Sequence, residues 1–116
     1  SDLSNSDIDY ETDSSTIEHI LPENPSEAWT AVVPEQDWSK LIYRIGNLTL
    51  LEPRANRSIG NQLIDGKLGV FANSRYAMTR RIAEESPDEW NASSIDRRQD
   101  WMASRAVHLW RSDFDQ

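Results

Sequence analysis

The order of the apolar segments predicts an α+β domain with one small core. Two runs of strand length, residues 16–21 and 48–51, are each closed by a proline, Pro22 and Pro53, a residue that cannot donate to a strand ladder. A helical period of apolar residues sets in only from Asn56 onward. The predicted order is strand, insertion, strand, helix and helical annex, with the two strands paired as a short antiparallel ribbon.

In chain order, residues 1–15 are rich in Ser, Asp and Asn with only Leu3, Ile8 and Tyr10 to bury, which predicts an acidic flexible arm or linker. Thr16, Ile17, Ile20 and Leu21 supply the β-branched and apolar character of the first strand. In the insertion, Asn24, Pro25 and Glu27 fit a helix start with Asn24 as cap, and Val32, Val33 and Pro34 stop it. Trp38, Leu41 and Ile42 predict a second short helix that Gly46 breaks. Leu63, Ile64, Leu68 and Phe71 fall on one face of the helix expected after Asn56, although Gly60, Gly66 and Gly69 weaken it or permit close approach to a phosphate. Ser74 is a candidate cap for a helix to about Glu85, Ser86 and Pro87 for a short turn at Trp90, and Ser93 and Ser94 for a last helix carrying Ile95, Met102, Ala106, Leu109 and Trp110 inward. Trp90, Trp101 and Trp110 read as core residues at helical spacing, with stacking on bases as the other use of such rings, and His108 reads as surface or packing.

Composition narrows the chemistry. With no cysteine, disulfides, thiolate zinc sites and cysteine nucleophiles are excluded, so any metal is held by His, Asn or carboxylates. No apolar run reaches the roughly 20 residues that cross a bilayer, and no signal-peptide pattern opens the chain, which predicts a cytoplasmic protein with no membrane partner. The net charge of -8 argues against a nucleic-acid partner until its distribution is considered. Residues 1–40 hold more than the whole of the excess, with ten acidic side chains against Lys40 as the single basic one. From residue 44 to 81, Arg44, Arg54, Arg57, Lys67, Arg75, Arg80 and Arg81 face only Glu52 and Asp65, so a local basic surface is available.

Five residues, Glu18, His19, Asn47, Asn56 and Lys67, carry the candidate chemistry. Phosphodiester hydrolysis needs a base for water, a Lewis acid at the phosphate, and fixed positive charge for the transition state. His19 suits the first task, because an imidazole is mostly neutral near pH 7. Glu18 and an amide oxygen suit the second, because Mg²⁺ takes oxygen ligands and keeps several waters. Neighbours in a regular strand point to opposite faces, so Glu18 and His19 share a site only where the strand ends or twists; otherwise Glu18 faces solvent. Asn47 after Gly46 also reads as a turn residue, Asn56 as a helix N-cap, and Lys67 as a surface lysine.

Taken together, Glu18-His19-Ile20-Leu21-Pro22, Gly46-Asn47-Leu48-Thr49-Leu50-Leu51 and Asn56 nine positions after Asn47 resemble the HNH, or ββα-metal, nuclease superfamily. They resemble most closely the C-terminal nuclease domain of GmrSD-type modification-dependent restriction enzymes and SspE-like phage-defence proteins. The resemblance continues through Asn61, Lys67, Ser74, Trp90, Ile95, Arg98 and Trp110. It implies a ββα-metal core over residues 16–73, a helical annex over 74–112, and a metal-dependent endonuclease that nicks or cleaves DNA as the effector of a larger parent protein. His19 is then the general base, Asn47 braces the loop that holds it, and Glu18 and Asn56 ligate Mg²⁺ or Mn²⁺. Asn at the third position, where many HNH enzymes have His, favours these oxygen-loving ions over zinc. Lys67 would neutralise charge at the scissile phosphate, and Asn61, Arg54 and Arg57 would contact the nucleic acid. The alternatives are an inactive helical protein-interaction module and an RNA-directed nuclease.

Overall fold

The computed structural model describes the backbone of residues 15–115 and the side chains through residue 107; the acidic arm predicted for 1–15 lies almost wholly outside the described residues, as do the side chains of His108, Leu109 and Trp110. Two strands, β1 (Thr16–His19) and β2 (Leu48–Leu51), form a two-stranded antiparallel sheet, with Thr16 opposite Leu51 and His19 opposite Leu48. Among the described residues there are five α-helices: α1 (Trp38–Ile42) inside the insertion and, after the ribbon, α2 (Pro53–Ile59), α3 (Ile64–Ala72), α4 (Ala77–Glu85) and α5 (Ala92–Asp115). The α+β order is thus the predicted one. Among the described residues no helix is long and apolar enough to cross a membrane.

One hydrophobic cluster serves the whole domain. Ile20, Leu21 and Leu51 from the ribbon, Trp29 and Leu41 from the insertion, and Phe71, Ile82, Trp90 and Ile95 from the helices are all buried in it. Burying aromatic and aliphatic side chains of this size is what offsets the chain entropy of so small a domain. Residues 74–107 contribute to the same cluster as the ribbon, so the helices hold the ribbon rather than merely follow it.

Several local expectations are corrected. The insertion's first helix is a 3₁₀ turn, Glu27–Ala31, with Trp29 N bonding to Ser26 O and Val32 N to Trp29 O, each three residues back, and the Trp29 indole anchored on Asn61 O at 3.0 Å. Asn24 does not cap it; Ser26 occupies that position. The helix expected from Asn56 begins three residues earlier, with Pro53 in its first turn, and Asn56 N bonds to Glu52 O inside it. It ends at Gly60, whose φ of 53° only glycine adopts freely, and α3 starts afresh. Ser74 is not the N-cap of α4, a place taken by Tyr76; its hydroxyl donates to Glu52 Oε1 at 2.8 Å and accepts from Tyr76 N at 3.2 Å. Ser86, expected to open a turn, instead closes α4 in the left-handed conformation with φ 49°, its N–H bonding to Ile82 O and Ala83 O. Asn91, not Ser93, caps α5: its Oδ1 accepts from Ser94 N while its own N–H donates to Ser94 Oγ, both at 3.1 Å.

Candidate active site at the β-ribbon

Asn47 lies at the centre of the site. It ends the 3₁₀ turn Ile45–Asn47 with no exposed surface, so each polar atom of its amide needs a partner. Its Oδ1 accepts from Leu21 N at 2.8 Å and from the Trp90 indole at 2.9 Å, while Nδ2 donates to Leu21 O at 3.0 Å and Ile42 O at 2.8 Å. One side chain thereby ties the loop after His19 to α1 and to Trp90. The backbone adds Ile20 N to Asn47 O at 2.9 Å.

Helix α5 grips that turn from the other side. Gly46 N donates to Gln99 Oε1 at 3.1 Å, and Arg98 Nη1 reaches Gly46 O at 3.0 Å and Leu48 O at 2.6 Å. A Cβ on Gly46 would collide with Ile95 O, so only glycine lets α5 come this close. Arg98 Nη2 donates to Thr49 Oγ1 at 3.1 Å. Thr79 Oγ1 donates to Leu50 O, so its one proton is committed, and the 2.7 Å contact between the two threonine hydroxyls must run from Thr49 to Thr79. Burial lowers the Arg98 pKa to about 10, with Glu85 partly restoring it and Arg81 adding to the fall.

Glu18 and His19 have different neighbours, as alternation along a strand requires. Glu18 faces inward at 4 % exposure, which removes the expectation that it might point to solvent. Its Oε2 lies 2.7 Å from Lys67 Nζ, and that ammonium also donates to Ile20 O at 2.9 Å and His19 O at 3.3 Å. Lys67 has no exposed surface, so the surface-lysine reading is also removed. Burial raises the Glu18 pKa and lowers that of Lys67, in each case by more than the partner's opposite charge restores. His19 instead sits 3.8 Å from Glu23 through Nδ1 and edge-on to the Tyr43 ring, with 5.6 Å between centroids. The Tyr43 hydroxyl donates to Glu23 Oε2 at 3.0 Å, and this bond, then the charge of Glu23, pushes the phenol pKa up.

Asn56 lies on α2 against β1. Its Nδ2 donates to Thr16 Oγ1 at 2.7 Å and to Ile17 O at 3.3 Å. A carbonyl can only accept, so the amide nitrogen must face the strand, and Oδ1 is turned away from it. Thr16 and Glu18 are two apart on β1 and share a face, which puts Asn56 and Glu18 on one side of the ribbon. No hydrogen bond joins the His19 ring to either, although its backbone N–H bonds to the Glu18 carboxylate. Arg54 and Arg57, three apart on α2, are exposed, as is Asn61, whose Nδ2 donates to Asn24 O at 3.2 Å. Among the described residues no three His, Asp or Glu side chains cluster as metal ligands. The donor set on the ribbon is one carboxylate and one amide oxygen, which fits a hard cation that keeps most of its waters.

A family model, GmrSD restriction endonucleases, C-terminal domain, matches residues 1–105. The chain belongs to that family. No curated protein and no solved structure matches it. Family membership gives the chain a restriction-endonuclease-related role. The positions that suggested a GmrSD-type domain, from Glu18 to Arg98, are the ones that build the ribbon, the Asn47 clamp and the α5 grip. Glu23, Tyr43, Thr49 and Thr79 were missed as parts of the surroundings. Glu23 and Tyr43 sit in the insertion, where no spacing ties them to His19, and the two threonines read as ordinary strand and helix residues.

Proposed function

We propose that the GmrSD-type domain is an HNH endonuclease domain with a ββα-metal core, hydrolysing DNA phosphodiester bonds with Mg²⁺ or Mn²⁺ as cofactor. The observation that carries the reading is the buried Asn47 amide, which clamps Leu21 N and O and so fixes the backbone immediately after His19. That is the bracing role the resemblance assigns to it.

His19 is the general base. It keeps part of its ring exposed at the end of β1, with 20 % of the side chain accessible, as a residue that takes a proton from water must. Glu18 and Asn56, through Oδ1, hold the cation, which supplies Lewis-acid stabilisation of the phosphate oxygens when bound. Lys67 fixes the Glu18 carboxylate and is positive charge beneath the site rather than a hand on the substrate. Arg54 and Arg57 on the outer face of α2 and the exposed Asn61 contact the DNA backbone, contacts that position a duplex without reading its sequence. Target selection then belongs to further domains of a larger cytoplasmic restriction or antiphage protein.

The test is conversion of supercoiled plasmid to the nicked form in Mg²⁺ or Mn²⁺, with a chelator control and a matched RNA. Metal-dependent nicking of DNA supports the reading. Cleavage of RNA in preference to DNA would move the substrate class, and intact plasmid in both metals would sink the claim for this domain.

A further inference from the structure

On the far side of the Asn47 clamp, a cleft of about 320 Å³ opens between α4 and the first turns of α5. Three guanidinium groups line it, from Arg81, Arg97 and Arg98, against one carboxylate, Glu85. That carboxylate is already engaged, with Glu85 Oε2 3.0 Å from Arg81 Nη2. Arg97 is exposed at the mouth, and Arg98, 8 % exposed, forms part of the interior wall.

Arg98 adds fixed positive charge behind the wall of the cleft. Its Nη1 and Nη2 are committed to Gly46 O, Leu48 O and Thr49 Oγ1, but Nε is buried without any hydrogen-bond partner. The charge of Arg98 therefore acts on the cleft through its wall, and the exposed Arg97 is the guanidinium that an oxyanion in the cleft can bond directly. The remaining wall is apolar: Ile82, Pro87 and the Trp90 ring, with Trp101 beyond, one face of which lies 4.2 Å under the Arg81 guanidinium. The volume is at the lower end for pockets that hold small molecules, enough for one nucleotide-sized ligand.

We propose that this cleft binds a nucleotide, its phosphate held by Arg97 in the positive field of Arg81 and Arg98 and its base or sugar against the apolar wall. The phosphate site rests on the arginines; the nucleotide as its carrier rests on the nuclease reading above. A cleft of this volume admits one nucleotide and not a duplex, so the ligand is a free nucleotide or a single unstacked nucleotide of a DNA strand. Because Trp90 and Arg98 also hold Asn47 and the start of β2, occupancy is felt at the loop that carries His19.

The full chain is titrated with deoxyadenosine 5′-monophosphate, inorganic phosphate and a short single-stranded oligonucleotide while the tryptophan indole N–H resonances are followed by NMR. The expected result is a saturable shift of the Trp90 indole with the monophosphate, weaker with inorganic phosphate. The exposed substitution Arg97→Gln should weaken binding about tenfold, while His19→Ala leaves it unchanged, which separates this site from the nuclease chemistry. A matching shift with the oligonucleotide at lower concentration assigns the strand as the source; a shift with the monophosphate alone assigns the free nucleotide. No movement of Trp90 with any probe at millimolar concentration, equal binding by Arg97→Gln, or a response to inorganic phosphate that the nucleoside does not strengthen would each overturn the proposal.

Discussion

Lys67 places an ammonium where no solvent reaches it, and its only anionic neighbour in hydrogen-bond range is Glu18, with Ile20 O and His19 O completing its shell. Since burial acts on both groups more strongly than their attraction does, the pair is held by the fold rather than holding it. Removing one member alone is therefore severe. Lys67→Ala should cost about 3–5 kcal/mol in urea denaturation, whereas Lys67→Met with Glu18→Gln in the same chain should recover much of that loss. Asn47 is the second residue on which the site depends. Asn47→Ala would strand Leu21 N, Leu21 O, Ile42 O and the Trp90 indole in the interior, and a stability loss of about 3 kcal/mol or more is expected. A brace at Asn47 was implied by the family resemblance, whereas its place after Gly46 read only as a turn. The burial of Lys67 was not legible, since nothing in a glycine-flanked lysine distinguishes an inward side chain from a surface one.

At the scale of elements, the decisive packing is α5 against the turn before β2, and it depends on Gly46. Gly46→Ala pushes a methyl group into Ile95 O and should destabilise the domain by about 1–3 kcal/mol, read as a lower melting temperature. The end of β2 is tied to the segment before α4 differently, by Glu52. Burial works to raise the Glu52 carboxyl pKa, but the bonds from Arg75 N and Ser74 Oγ, with the Arg75 charge, prevail and hold it below the ordinary 4.5. A carboxyl lowered by folding stabilises above its unfolded pKa and ceases to do so as pH falls through its folded one. The urea midpoint should therefore drop as the pH is taken below about 4.5, and drop less in Glu52→Gln. Strands were legible because proline closes each run, whereas helix starts were not. Ser74, Ser86 and Ser93 all look like caps, and tertiary bonds to Glu52, the end of α4, and Asn91 decided otherwise.

For the whole molecule, the sequence carried the α+β order and the family, because both are written in apolar spacing and in an ordered motif. It did not carry the separation of Glu18 from His19, which depends on where β1 stops, nor the cleft lined by Arg81, Arg97 and Arg98, which exists only once α4 and α5 pack. The molecule that results is a two-stranded ribbon gripped by its last helix, with His19 at one corner and Glu18 and Asn56 along one side. Its central claim is that His19 is the base for hydrolysis. The measurement that tests it most directly is plasmid nicking in Mn²⁺ by His19→Ala protein whose circular dichroism and melting temperature match the parent's. The account predicts that nicking falls by about a hundredfold or more while DNA binding is retained; nicking at the parental rate by folded His19→Ala protein would contradict it.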